Sequence, residues 1–98
     1  MILVRNVFQL KFGKAKEATA LWKEGAAMLK KSGVSSTRVL IDLVGPFYTL
    51  VVENSFNSLA DFENFHKTAG GNDEWKKWYE KFSALVESGR REIFTIVE

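Results

Sequence analysis

With 98 residues, 46% of them hydrophobic and 27% charged, the chain has the size and composition of one globular domain, which excludes both a disordered segment and a two-domain enzyme. The absence of cysteine rules out a disulfide framework and thiol chemistry, and it fits a reducing cytoplasm, the expected location. The formal charge of +2 comes from 14 basic against 12 acidic residues spread along the chain, and no apolar run is long enough for a signal peptide or a span, so neither nucleic acid nor membrane is an expected partner.

The first element in chain order is a strand from Ile2 to Phe12. Ile2, Val4, Asn6, Phe8, Leu10 and Phe12 share one face, because side chains alternate along a strand, and that face is core with one amide in it. Gly13 closes the strand. Ala18, Leu21, Trp22, Gly25, Met28 and Leu29 then recur at helical spacing, which predicts a helix over Lys14 to Lys31, stopped by Gly33. Strands are expected at Ser36 to Val44 and Phe47 to Phe56, joined so tightly by Gly45-Pro46 that they must form an antiparallel hairpin.

Ser58 followed by Asp61 has the form of a capping box and opens a short helix carrying Leu59, Phe62, Phe65 and His66. Gly70-Gly71 breaks it, and Asn72 or Asp73 caps a further helix with an aromatic stripe of Trp75, Trp78, Tyr79 and Phe82 that continues to Leu85 and Val86. Gly89 is read as the stop of that helix and Glu92 to Val97 as the last strand. The order β-α-β-β-α-β, with the second helix broken, predicts an α+β ferredoxin-like sandwich over residues 1–98 as a single domain with both helical layers on one sheet face.

The strands carry apolar residues on both faces: Val39, Ile41 and Leu43 against Leu40 and Val44, and Phe47 and Val51 against Leu50 and Val52. A bare apolar sheet face invites aggregation, so a second copy is expected to cover it, giving a homodimer. The RNA-recognition motif shares this element order, but the third strand lacks a Gly-aromatic-x-aromatic signature.

The element order, the hairpin with Phe47-Tyr48-Thr49-Leu50-Val51-Val52-Glu53, the Phe56-Asn57-Ser58-Leu59-Ala60-Asp61 helix entry and the Trp75 to Trp78 segment resemble the dimeric α/β-barrel superfamily. That superfamily includes the NIPSNAP proteins and the antibiotic-biosynthesis-monooxygenase-like domains. The resemblance implies two ferredoxin-like subunits joining sheets into a barrel, with a pocket in each between sheet and helices. Some such proteins are cofactor-independent oxygenases of aromatic polyketides and others degrade haem. Asn6 matches the first-strand Asn of the haem-degrading members, but Phe65 stands where they have Trp, and Trp75-Lys76-Lys77-Trp78-Tyr79 where they have His. Those departures argue against haem degradation, and no cofactor is expected.

Asn6 and His66 are the candidate catalytic groups: a buried amide needs partners, and an imidazole can shuttle a proton. Asn6, Trp22, Tyr48, His66 and Trp75 are the candidate ligand-binding residues, for a small aromatic or polyketide-like molecule. Each has a plainer reading, as core aromatic, helix cap or satisfied amide. One His and no Cys argue against a zinc site, and no metal is expected. The enzyme and the non-enzymatic dimeric ligand-binding or accessory protein both stay open, separable by whether the interior is filled or holds a pocket with convergent polar atoms.

Overall fold

The computed structural model describes residues 1–34 and 36–98. The elements are β1 (Ile2–Leu10), α1 (Ala15–Lys31), β2 (Thr37–Ile41), β3 (Thr49–Phe56), α2 (Leu59–Gly70), α3 (Asp73–Ser83) and β4 (Val86–Thr95). The sheet order is β2-β3-β1-β4 with every neighbouring pair antiparallel, the ferredoxin-like arrangement read from the element order.

Both breaks around the second helix are built from caps. Ser58 Oγ accepts from Asp61 N at 3.2 Å to start α2, and Asn72 Oδ1 accepts from Trp75 N at 3.0 Å to start α3. Gly33 sits at φ +95 just past the end of α1, a left-handed turn that a side chain would strain.

The core lies between the sheet and α1 with α3. Leu10, Leu50 and Val52 from the sheet meet Trp22 and Leu29 of α1 and Trp78 and Phe82 of α3. The rings interlock: Trp22 meets Trp78 edge-on at 4.6 Å, Trp78 stacks on Phe82 at 5.6 Å, and Phe82 takes the edge of Phe8 at 4.9 Å. Trp78 is also anchored by its indole N–H, which donates to Leu21 O at 2.7 Å.

Several expected boundaries move, each for a tertiary reason. β1 ends at Leu10 and not at Phe12; Phe12 lies outside the core against the rings of Tyr48 and Phe47. The tight hairpin is a longer loop, because β2 stops at Ile41 and β3 begins at Thr49. Asp42 Oδ1 accepts from Thr49 N at 2.9 Å and Thr49 Oγ1 donates to Pro46 O at 2.9 Å, closing that loop, with Tyr48 at a positive φ of 58. The last helix stops at Ser83 and the last strand starts at Val86. Gly89 is therefore a strand residue opposite Phe8, where an added Cβ would stand 3.0 Å from Phe8 Cδ1.

The second sheet face does carry apolar residues, though not all of those expected, and charges stand among them. Register sends Val39, Ile41, Leu50 and Val52 together to the helix side, and Leu43, Val44 and Phe47 fall in the loop. The opposite face has Glu53 at its centre, 2.9 Å from Arg38 and 3.7 Å from Arg5, with Arg90 and Glu92 3.6 Å apart, interleaved with Leu3, Val7, Leu40, Val51 and Phe94. It is a mixed, charge-bearing surface.

Candidate functional site

The helices do not cover the sheet evenly. α1 and α3 close over β1 and β3, and α2 rides on Phe56 through Phe62 and Phe65 at 5.4 and 5.6 Å without burying any residue completely. Gly89, Arg91 and Ile93 of β4 alternate onto the same side and stay exposed. The uncovered strip beside α2 and α3 becomes a cleft of about 930 Å³ that opens over β4. Its floor is Val4, Asn6, Phe8 and Asn54, and its walls are chiefly aromatic: Phe62, Phe65, Trp75 and Tyr79 from the helices, with Trp22 behind.

Four of the five residues singled out in the sequence come together here. Asn6, Trp22, His66 and Trp75 all line the cleft, with His66 exposed at its mouth and its ring 5.8 Å from Phe62. Tyr48 does not. It lies in the β2–β3 loop beyond the Leu10 end of β1, in a separate depression with Phe12, Ala15 and Phe47.

Two further polar residues of the cleft are not marked by any sequence motif. Arg91 is a β4 residue directly opposite Asn6, and its Nε donates to Asn6 Oδ1 at 2.7 Å. Its guanidinium carbon lies 5.3 Å from the centre of the Phe62 ring, a cation–π contact. Asn54, buried opposite Val4, donates from Nδ2 to Thr37 Oγ1 at 2.8 Å and Ser36 O at 3.2 Å, which turns its Oδ1 away from β2. The signal for Arg91 was its parity with Asn6 across the sheet, which becomes visible only once β4 is extended back to Val86.

The Asn6 amide is thus half used. Its Oδ1 is taken by Arg91, and its Nδ2 donates to no protein atom among the described residues. Trp22 Nε1, behind the wall, is buried with no protein acceptor among the described residues. Donors on a floor beneath aromatic walls, here the Asn6 amide and Arg91, suit a flat molecule with carbonyl or other acceptor oxygens. No cluster of metal-ligating side chains is present among the described residues, and no described helix is long and apolar enough to cross a membrane.

The NIPSNAP family model matches residues 5–98. The chain belongs to the NIPSNAP family. Among curated proteins none matches the sequence. Among solved structures, a NIPSNAP family protein from Agrobacterium tumefaciens superposes with a TM-score of 0.88 at 17% identity, over 99% of this chain and 86% of that one. An uncharacterized NIPSNAP domain protein from Burkholderia xenovorans gives 0.88 at 10% identity, over 99% and 95% of the two chains. SnoaB, a cofactor-independent oxygenase from Streptomyces nogalater, gives 0.77 at 13% identity, over 99% and 93%. At such identities the likeness is one of fold, so this NIPSNAP domain shares its architecture with oxygenases while its own chemistry rests on its own side chains.

Proposed function

We propose that the protein binds a small, flat aromatic or polyketide-like molecule in the cleft between β1, β4 and the α2–α3 pair. The observation that carries this reading is the convergence of Asn6 and Arg91 on one floor, beneath walls of Phe62, Phe65 and Trp75, in a space of about 930 Å³. A filled interior, expected of an accessory protein whose aromatics serve only as core, would leave no such volume. Oxidation of the bound molecule is the further step suggested by the fold shared with a cofactor-independent oxygenase. His66 at the mouth is the imidazole in position to move a proton in such a step.

The test is a set of thermal melts of wild type and Asn6→Ala with flavins, haem, quinones and polyketide-like phenols. A ligand at a hundredfold excess over its dissociation constant adds about 2.7 kcal/mol to stability. Asn6→Ala is expected to weaken a phenolic or quinone ligand by about 1–3 kcal/mol, the cost of a lost buried partner, with a smaller effect on the unliganded melt. If no compound shifts the wild type, the ligand-binding reading is abandoned. Turnover of a binding compound under air separates the enzyme from the binder.

We also infer a homodimer built on the free sheet face. Leu40 and Phe94 are exposed there beside Arg38, whose partner Glu53 is largely buried, so a second copy would cover apolar side chains and desolvate an already paired charge network. Light scattering at low micromolar concentration is expected to give about twice the chain mass, with an interface near or above ~1,200 Å² in total. A monomer at that concentration overturns it.

A further inference from the structure

We propose that Arg91 makes the cleft selective for an anionic aromatic molecule, specifically a planar ring system bearing a carboxylate. This rests on the ligand-binding reading above and deepens it.

The cleft carries more positive than negative charge. Lys76 and Arg91 are its cations and Glu80 is the one carboxylate among the described lining residues, whereas Arg90, opposite Val7, belongs to the other sheet face and pairs there with Glu92 at 3.6 Å. Arg91 itself has no carboxylate partner among the described residues. Its one polar side-chain contact, to the Asn6 amide, is neutral and leaves the charge uncompensated.

That contact also holds the guanidinium in place. With Nε donating to Asn6 Oδ1 at 2.7 Å and the guanidinium carbon 5.3 Å above the Phe62 ring, the group has two fixed contacts before a ligand arrives. Both Nη groups are left as a free fork, and a planar fork matches the two oxygens of a carboxylate. A ring attached to that carboxylate would extend toward the aromatic walls formed by Phe65 and Trp75, while the Asn6 Nδ2 remains available for a neighbouring oxygen. The cross-strand register is what permits this: Arg91 stands opposite Asn6, and a shift of one residue would send it to the far side of the sheet.

Calorimetric titration with naphthoate and anthracene carboxylate, each beside its uncharged carboxamide, tests the assignment. Wild type is expected to prefer acid over amide by about tenfold or more, the size of a charge-assisted hydrogen-bonded pair. In Arg91→Gln the acid-to-amide preference is expected to fall below about threefold, whatever the change in overall affinity, and in Lys76→Gln to stay as in wild type, because only Arg91 offers a fixed fork. Arg91→Lys keeps the charge without the fork and is expected to fall between wild type and Gln. It also serves as the informative variant should the Gln protein not fold. Equal binding of acid and amide to wild type overturns the anion selectivity, and a preference that survives at Arg91→Gln, or one lost at Lys76→Gln, overturns its assignment to Arg91; each of these leaves the aromatic site standing. Failure of both acids and both amides to bind removes the aromatic site and the selectivity together.

Discussion

Replacing Phe82 with Ala is expected to cost about 3–5 kcal/mol of folding stability, the range for truncating a fully buried aromatic. Phe82 is 1% exposed and is gripped from three directions: Phe8 from the sheet at 4.9 Å, Trp22 from α1 at 5.5 Å and Trp78 from its own helix at 5.6 Å. None of those rings can move into the space without losing another contact, so the cavity persists and its cost adds to the lost transfer energy. Urea denaturation at constant slope reads the loss directly. A change below ~1 kcal/mol would mean that the α3 stripe does not face the sheet.

Gly25→Ala should also destabilise, which is the reverse of what helix propensity alone would give. In the interior of α1 alanine gains about 1 kcal/mol over glycine. Here a Cβ would stand 2.5 Å from Trp78 Cζ2, and that indole is pinned by its hydrogen bond to Leu21 O and by its packing against Trp22 and Phe82. Forcing the helices apart is expected to yield a net loss of about 1–3 kcal/mol, the usual range for overpacking. Pairing it with Trp78→Phe isolates the cause. The smaller ring withdraws the atoms in the way, so adding Gly25→Ala to that background should be neutral or stabilising, and a loss undiminished there would point to a different origin.

The candidate site was legible in part. Asn6 stood out because it is the one amide on the apolar face of β1, and a polar residue at a core position is visible by strand parity alone. Trp75 and His66 followed from helical spacing. Arg91 was not legible, because two adjacent arginines beside a glycine look equally like a helix terminus and a strand, and only pairing with β1 gives them opposite faces. Tyr48 failed for the complementary reason. Its neighbours alternate like a strand, but Asp42, Pro46 and Thr49 close a loop around it and hold it in a left-handed turn.

What the sequence by itself determined was the element order, the capped break between α2 and α3, and the aromatic stripe that pins α3 to the sheet. These depend on local signals: period, caps and glycines, each contained within a few residues. What only the tertiary structure decided was the length of β4, which charges pair on the free sheet face, and the cleft. The first two depend on strand register, which is set by pairing between residues as distant as Asn6 and Arg91. The cleft depends on how far three helices can reach across four strands, and they leave the strip beside β4 uncovered because α2 rests on Phe56 and α3 is held back against α1 by Trp78 and Gly25.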